Sequence, residues 1–410
     1  MKIGLLAYHS ACNFGATLQL LSTYMYLKKR GHDPIVINWI SADLENRYGK
    51  ITPLPQQELQ LSLRKQLWRE TGLCRTSEDV AKVITKESIQ AVIIGSDAVA
   101  QHHPMAERIV FPCKRIIGLR KVTSDMVFPN PFWATWLDSL EEKIPVAVMS
   151  ASCQDSRYRL TPKAIRREMA KQVMRYSYIS VRDAWTSQMI SYITKGERVP
   201  AITPDPVFAF NRNSGDLIPS EGYIRNTYGI KGRYILLSFL DSRRGASVKQ
   251  EWIESFTQAA KSEGLEIIML PFAEKRSFGN SGREIRLPLS PLDWYALIKY
   301  SDGYVGNNMH PVIVSIHNSV PFFSFDNYGT KHLNGIITSD VSSKIRHILN
   351  KAGLGRQRVS SLPLGFRPPT AQDVMMRILT FDRDRCSAFA ENYLKDYDVM
   401  MKDIEKALGL

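Results

Sequence analysis

Short, unbroken runs of apolar residues, alternating with helical patterns, constrain the fold of this chain more than any other feature. Residues 91–95 read AVIIG and residues 145–150 read PVAVMS, without the period-two alternation of a half-exposed strand. Such runs are typical of strands covered on both faces, as in a parallel sheet flanked by helices. The chain is therefore predicted to be an α/β protein.

The alternation occurs in two blocks, separated by turn-forming residues at 205–232. The first block predicts strands at 3–7, 35–39, 91–95, 145–150, 178–181 and 199–203, and helices at 16–30, 162–175 (with Thr161 as N-cap) and 184–193. The second predicts strands at 233–240, 266–271, 303–306 and 321–325, and helices at 248–262, 291–300 and 311–318. Because 410 residues exceed one ordinary domain, we predict a Rossmann-like N-terminal domain (1–210), a linker (211–232), a Rossmann-like C-terminal domain (233–380) and a C-terminal helix (381–410). The two parallel sheets should face each other across a cleft.

Cysteine usage and hydropathy narrow the class of protein further. The five cysteines are scattered, no paired-cysteine or HExxH spacing occurs, and no apolar run approaches the roughly 20 residues needed to cross a bilayer. These observations favour reduced thiols in the cytoplasm over a disulfide framework, and they predict no metal site.

The formal net charge of +14 raises the question of an anionic partner. No nucleic-acid recognition motif accompanies the charge, so nucleic acid is not predicted. An anionic small substrate, an anionic membrane surface carrying a lipid-linked substrate, and a merely solvated basic surface all fit. The basic segment 59–70 (LQLSLRKQLWRE) leaves the same choice open, as a helix packed on the protein or one lying at the inner face of a membrane.

Polar residues follow two strands of the first block. His9, Asn13 and Gly15 stand where a strand ends and a helix begins, a junction that can receive an anion or a hydroxyl or can simply be a capped turn. Gly95, Ser96 and Asp97 follow the buried strand 91–95. Gly95 allows close backbone approach, and Asp97 is a candidate general base, a hydrogen-bond partner for a sugar hydroxyl, or a helix cap.

Two further stretches carry cationic or titratable groups at strand ends. In ISVRD, Arg182 is either a guanidinium fork for phosphate or carboxylate, or an ion-pair partner beside a helix-capping Asp183. His310 follows the strand 303–306, and Lys331 comes 21 residues later, after the next strand. Adjacent parallel strands would bring these two side chains to one cleft, as an anion clamp with a titratable group beside it.

In chain order, these stretches resemble the polysaccharide pyruvyl transferase family. The resemblance runs from about residue 3 to 335 and rests on YHSACNFGATLQ (8–19), GSD (95–97), SVRD (180–183), Asp205-Pro206, NNMH (307–310) and VPFFSFDNYGTK (320–331). The chain has Asn308 where many members have arginine, so NNMH is closer to a branch with Asn-Ser-aromatic-His. It also has Ala98 and Ala100 where that branch has glutamine and tryptophan, which leaves the acceptor open.

The resemblance implies a fold similar to the two-domain B-type glycosyltransferases. It implies transfer of pyruvate from phosphoenolpyruvate to two hydroxyls of a sugar, forming a cyclic ketal and releasing phosphate, with no metal or other cofactor. Arg182 and Lys331 would bind the donor, His310 would transfer protons, and Asp97 and His9 would assist the acceptor hydroxyls. The other substrate-binding candidates are Asn13, Gly15, Gly95, Ser96 and Asn308.

Two alternatives remain open from the sequence. One is a nucleotide-sugar-dependent glycosyltransferase of the same architecture, for which Glu266 or Glu274 would bind the ribose. The other is a non-catalytic binding member of the family, suggested by Asn308, Ala98 and Ala100. The sequence does not identify the sugar, the bridged hydroxyls, the ketal stereochemistry or the oligomeric state.

Overall fold

The computed structural model describes residues 1–113, 116–240, 247–332, 337–363 and 365–410. Its strands are β1 (Lys2–Leu6), β2 (Asp33–Val36), β3 (Ala91–Asp97), β4 (Ile109–Cys113), β5 (Ile116–Leu119), β6 (Val146–Ala151), β7 (Tyr178–Val181), β8 (Ala201–Ile202), β9 (Arg233–Ser238), β10 (Leu265–Met269), β11 (Arg283–Glu284), β12 (Gly303–Gly306), β13 (Phe322–Asp326), β14 (Thr330–His332), β15 (Ile337–Ser339) and β16 (Arg358–Ser360).

The α-helices connect these strands and cover both sheets. They are α1 (Phe14–Lys29), α2 (Ala42–Ile51), α3 (Leu54–Leu67), α4 (Ser77–Lys86), α5 (Met105–Arg108), α6 (Lys163–Met174), α7 (Ala184–Ile193), α8 (Phe210–Ser214), α9 (Glu221–Tyr228), α10 (Gln250–Ser262), α11 (Pro291–Lys299), α12 (Met309–His317), α13 (Lys344–Lys351), α14 (Ala371–Leu379) and α15 (Arg383–Leu408).

Two six-stranded sheets form the centre of the molecule. The first has the order β2-β1-β3-β6-β7-β8 and the second the order β11-β10-β9-β12-β13-β16, and every pairing in both is parallel. The central strands β3 and β6 are buried almost throughout, as unbroken apolar runs require. The predicted α/β class with two parallel sheets is confirmed.

Helix α1 lies between the two halves of the molecule, so nearly all of its faces are buried. It packs on the first sheet and also contacts α8 and α11. The Phe14 ring lies 5.5 Å from the Trp294 ring on α11. Nearby, the fully buried Gln56 side chain donates to the Leu289 carbonyl (3.0 Å) and accepts from the Leu289 amide (2.7 Å). The carboxyl ends of both sheets therefore meet along one interface.

The segment predicted as a turn-rich connection is largely helical. It contains the 3₁₀ segment Pro206–Ala209 and the helices α8 and α9. Its turn-forming residues act as caps: Asp205 accepts from the Val207 amide (3.0 Å), and Ser220 accepts from the Tyr223 amide (3.2 Å). Asp and Ser signal a turn and a helix start alike, which is why the pattern was ambiguous.

Four predicted helix starts, those of α1, α6, α10 and α12, are wrong by one or two residues. Pro162, rather than Thr161, occupies the N-cap position of α6. Helix α12 begins at Met309, two residues before Pro311, because the first turn of a helix tolerates proline. His310 therefore lies inside the first turn of α12.

The basic segment on α3 is engaged with the protein at its C-terminal end. Arg64 forms a two-pronged ion pair with Glu70 (2.8 Å), and the buried Trp68 indole donates to the same carboxylate (2.6 Å). Leu54 and Leu61, in contrast, are 65% and 50% exposed. Within the described ranges, no helix combines the length and apolar character that crossing a bilayer demands.

Candidate functional site

A buried ion-pair network lies at the carboxyl end of the first sheet. Arg182 directly follows β7, and its guanidinium donates to Asp97 at the end of β3 (2.7 Å) and to Asp205 (2.9 Å). Gln19 on α1 also donates to Asp205 (2.5 Å). Although burial opposes it, the charges of Arg182 and Lys344 hold the pKa of Asp97 well below its ordinary value. Asp97 is therefore an ionised acceptor at neutral pH.

The network bears on the two interpretations of the SVRD turn. Both terminal nitrogens of Arg182 are occupied by carboxylates, and Asp183 caps α7 by accepting from the Thr186 amide (2.8 Å). These contacts support the ion-pair alternative, in which each terminal nitrogen donates to a carboxylate. Of the Arg182 side-chain nitrogens, only Nε is buried without a partner among the described residues.

His310 reaches this network from the second sheet. Its ring lies directly against Gly15 in the first turn of α1, where an added Cβ would be 2.1 Å from the ring Cγ and Nδ1 atoms. Only glycine leaves room for this ring. The histidine is 8% exposed, and its Nε2 atom has no hydrogen-bond partner in the described part of the chain. Gly15 and His310, both predicted site residues, are thereby brought together.

Burial lowers the pKa of His310, and the nearby cations Arg182 and Lys344 act in the same direction against the carboxylates Asp97 and Asp205. The imidazole is therefore neutral at pH 7 in this structure. A neutral imidazole with an unpartnered nitrogen can accept a proton from one reacting group and deliver it to another.

Lys344 is a site residue that sequence reasoning missed. It is the first residue of α13 and only 5% exposed, and its ammonium lies 5.4 Å from the centroid of the Tyr328 ring. Burial, together with the charge of Arg182, lowers the pKa of Lys344 to about 8. The SSKIRH sequence around it carries no recognisable motif, so no signal in the sequence could have found it.

Lys331, the lysine predicted from the sequence, lies elsewhere. It is exposed on β14 and pairs with Thr338 of β15 in an antiparallel hairpin. Within the described ranges, no hydrogen bond or ion pair joins it to Arg182 or His310. Its role in donor binding stays a prediction.

Among the predicted substrate-binding residues of the first sheet, His9 is fully buried. Its Nδ1 atom is 3.0 Å from the Ala7 carbonyl and its Nε2 atom 3.0 Å from the Asn38 side chain, so both ring nitrogens are occupied. Asn13 caps α1 by accepting from the Ala16 amide (3.1 Å). These contacts support the capped-turn interpretation of this stretch.

The remaining predicted contacts have local structural roles as well. An added Cβ on Gly95 would lie 2.4 Å from the Met149 carbonyl, and the buried Ser96 hydroxyl donates to the Ser150 carbonyl (2.9 Å). Asn308 is half-buried at the N-cap position of α12, but no described amide is capped by its side chain. Ser96 is thus bonded to the backbone of a neighbouring strand, whereas the Asn308 side chain caps no helix.

A second group of polar side chains borders Asp97, and sequence reasoning missed it too. Tyr8 donates to Asp125 (2.7 Å), whose other carboxylate oxygen is buried without a partner among the described residues. Burial raises the pKa of Asp125 and that of Tyr8, and the Tyr8 hydroxyl also feels the charge of Asp97. Burial raises the pKa of Tyr48, and the charge of Glu274, from the opposite half of the molecule, raises it further. This side of the site is acidic and rich in hydroxyls.

The two sides of the site differ in charge. His310 and Lys344 come from the second half, whereas Asp97, Tyr8 and Asp125 come from the first. No group of three or more His, Cys, Asp and Glu side chains capable of holding a metal ion occurs in the part of the chain that is described. The arrangement can bind an anion on one side and hydroxyl groups on the other, with a neutral histidine between them.

Comparison with known proteins gives the arrangement a context. A model of the polysaccharide pyruvyl transferase family matches residues 13–328, which is most of the chain and includes Asp97, Arg182 and His310. A search among curated proteins found no significant match in sequence.

Solved structures with a similar fold include UDP-GlcNAc 2-epimerases and a forosaminyltransferase. The UDP-GlcNAc 2-epimerase from Neisseria meningitidis, bound to UDP-GlcNAc, has a TM-score of 0.54 and 11% identity, covering 99% of this chain and 100% of that one. The UDP-GlcNAc 2-epimerase from Methanocaldococcus jannaschii gives 0.51 and 11%, covering 97% and 100%. Spinosyn forosaminyltransferase SpnP gives 0.50 and 12%, covering 100% of each chain. At such identities the likeness shows the fold alone, and it agrees with two Rossmann-like domains.

Proposed function

The chain belongs to the polysaccharide pyruvyl transferase family, and from that premise we propose that it transfers pyruvate from phosphoenolpyruvate to two hydroxyls of one sugar. The product would be a cyclic ketal, with release of phosphate. The observation that carries the proposal is His310, buried against Gly15 with an unpartnered Nε2 atom beside the Asp97–Arg182–Asp205 network.

The reaction needs protons moved in both directions. The methylene carbon of phosphoenolpyruvate gains a proton, which leaves an oxocarbenium-like centre for attack by the first hydroxyl. The carbon–oxygen bond to phosphate then breaks, and the second hydroxyl closes the ketal. The two hydroxyl protons balance the one gained by carbon and the one carried away by phosphate. His310, being neutral in the free protein, can accept a hydroxyl proton and pass it to the departing phosphate.

Asp97 has a more limited part in this proposal. Its strongly lowered pKa makes it a weak base, so it suits hydrogen bonding to an acceptor hydroxyl better than proton abstraction. Arg182 would hold Asp97 in place rather than clamp the donor, because its terminal nitrogens are already taken. The Tyr8 hydroxyl and the Asp125 carboxyl group on the other side of the site suit hydrogen bonding to a neutral sugar.

The acceptor would be a sugar in a glycan or a lipid-linked oligosaccharide, with no metal or other cofactor required. A cytoplasmic location, with peripheral contact at the inner face of the membrane, belongs to the same proposal. The net charge of +14 and the exposed Leu54 and Leu61 on α3 support such contact.

The test is phosphate release from phosphoenolpyruvate in the presence of a panel of sugar acceptors. We expect acceptor-dependent release by the wild type and a loss of at least about 100-fold in His310→Ala, the usual worth of a general acid–base group. His32→Ala is the matched control, since His32 directly precedes β2 and so lies at the amino end of the first sheet, away from the carboxyl ends that form the site.

Two outcomes would reject the proposal. Activity only with a sugar nucleotide as donor would establish the glycosyltransferase alternative. Binding of glycans without turnover of phosphoenolpyruvate or sugar nucleotides would establish the non-catalytic alternative.

A further inference from the structure

Lys344 is a buried cation whose charge no described side chain neutralises by contact. It is 5% exposed, and within the described ranges its ammonium makes no hydrogen bond or ion pair. Lysine is almost never buried to this extent unless it is paired, because desolvation of an ammonium is costly. The Tyr328 ring, 5.4 Å away, offers only a cation–π contact.

The carboxylates whose charges act on Lys344 already have hydrogen-bond partners within the protein. Asp97 and Asp205 are held by Arg182, and Asp183 accepts from Thr186 and from the Ser152 hydroxyl (2.9 Å). Their fields reach the ammonium, yet none of them contacts it. The natural partner of this lysine is therefore an anion from outside the chain.

One buried carboxylate fixes the position of Lys344. Asp326, at the end of β13, is fully buried and accepts from the Ser343 hydroxyl and from Arg358. Ser343 in turn caps α13 by accepting from the Arg346 amide (3.0 Å). The hydroxyl of the residue before Lys344 is therefore fixed by two hydrogen bonds, one given and one accepted.

Asp326 also fixes the aromatic partner of the lysine. Its other carboxylate oxygen accepts from the Tyr328 amide (2.9 Å). A single side chain thus orients the two segments that carry Lys344 and Tyr328, whose side chains meet at the site. A surface lysine would need no such arrangement.

We propose that Lys344 binds the phosphate or carboxylate of an anionic donor, and that Asp326 is the positioning residue that holds it there. The proposal deepens the proposed function by naming a donor-binding cation. Lys331 lies on an exposed hairpin, so it would be either a second cation of the same donor site or a residue with no part in donor binding.

The experiment is calorimetric titration of phosphoenolpyruvate, inorganic phosphate and a UDP-sugar into five single variants and the wild type. Lys344→Met removes the charge and keeps the stem, whereas Lys344→Arg keeps the charge. Lys351→Met is the matched control, an exposed lysine of the same helix paired with Asp396 (3.1 Å). We expect Lys344→Met to weaken binding of the anionic donor about 10- to 100-fold, Lys344→Arg to restore much of it, and the control to bind normally.

Asp326→Asn tests the positioning role against Asp340→Asn. Asp340 accepts from Arg358 (2.6 Å) and Arg346 (2.8 Å) but touches neither Ser343 nor Tyr328 with its side chain. We expect Asp326→Asn alone to weaken donor binding and to shift the pH at which binding is lost. A purely structural role would lower thermal stability in both variants and leave that pH unchanged.

The donors separate this proposal from the proposed function. If phosphoenolpyruvate binds equally well to the wild type and to Lys344→Met, the lysine assignment is wrong while pyruvyl transfer stands. If only the UDP-sugar binds, and does so through Lys344, the lysine assignment stands and pyruvyl transfer falls. If the folded wild type binds none of the three anions, both are overturned.

Discussion

At the scale of single residues, the contact between His310 and Gly15 decides how the two halves of the site fit together. An added methyl group on Gly15 would lie 2.1 Å from the imidazole ring, far inside van der Waals distance. The ring belongs to the first turn of α12 and the glycine to the first turn of α1, so neither can yield without moving a helix.

We expect Gly15→Ala to displace His310, to lower the free energy of unfolding by about 1–3 kcal/mol through overpacking and to reduce phosphate release more than 10-fold. Phosphate release and thermal unfolding would be measured together. Gly49→Ala in α2 is the control, because no described atom lies within 4 Å of its added Cβ. Full activity in Gly15→Ala would show that the histidine does not act from this position.

The charge of Lys344 gives a second prediction at this scale. Burial lowers its pKa from 10.5 to about 8 in the folded protein. Between these values the unfolded chain binds more protons than the folded one, so stability rises with pH, and the full penalty is present below pH 8. We expect Lys344→Met to raise the free energy of unfolding by up to about 3 kcal/mol at pH 7, and by little at pH 10.5.

Urea unfolding at the two pH values would measure this, with Lys351→Met as control. The groups facing the ammonium are Arg182, Asp97, Asp183, Asp205, His310 and Tyr328. The lowered pKa values of Asp97 and His310 lie below this pH window, and the raised pKa of Arg182 lies above it. Burial raises the pKa of Tyr328 to about 12, which is outside it. Equal stabilisation at both pH values would show that the lysine charge carries no penalty.

The site residues also show how far sequence reasoning reached. Asp97, Arg182, Gly15 and His310 could be found because each follows a predicted strand or opens a predicted helix. Lys344 and Asp125 could not, since their positions depend on capping and on loop packing that no local pattern encodes. The surroundings of His9 were beyond reach for a related reason, because complete burial with two hydrogen-bonded ring nitrogens is invisible in a sequence.

At the scale of elements, the type of an element was easier to predict than its ends. The strands β7 and β12 and the helix α7 have the predicted bounds, because each is a distinct apolar or amphipathic run with a clear stop. The turn-forming residues at 205–232 did not reveal the short helices of this segment, because Asp205 and Ser220 cap helical segments there.

Asp205 shows what such a cap contributes to the fold. It starts the 3₁₀ segment Pro206–Ala209 and also accepts from Arg182 and Gln19 in the core. We expect Asp205→Asn to lower the free energy of unfolding by about 3 kcal/mol or more, because it leaves the buried guanidinium with a single carboxylate.

Chemical denaturation would measure this loss against Asp216→Asn. Asp216 belongs to the same connection between the two halves, but it is exposed and only loosely paired with Lys29 (3.7 Å). Its substitution should change stability by less than about 1 kcal/mol. Similar losses in the two variants would mean that the network around Arg182 does not depend on the second carboxylate.

At the scale of the whole molecule, α15 and α1 hold the two sheets in one arrangement. Helix α15 spans both halves, and near its end Glu405 accepts from Arg30 (3.0 Å) and from the Tyr26 hydroxyl (2.9 Å) on α1. The surfaces left free by this arrangement include the exposed side of α3, where Leu54 and Leu61 stand out from a protein with a net charge of +14.

That combination predicts salt-dependent binding to anionic membranes, since each Lys or Arg near such a surface contributes about 1 kcal/mol and inserted leucines add apolar burial. We expect the protein to sediment with vesicles containing phosphatidylglycerol but not with pure phosphatidylcholine, and to be released by high salt. The double variant Leu54→Ser/Leu61→Ser should bind several-fold more weakly, whereas Leu379→Ser/Val399→Ser, which removes exposed apolar residues from α14 and α15, should not. If the α3 variant still binds, the contact comes from basic charge spread over the whole surface rather than from α3. If the protein partitions equally to both vesicle types, the basic charge does not bind anionic membranes and serves only to attract the anionic substrate.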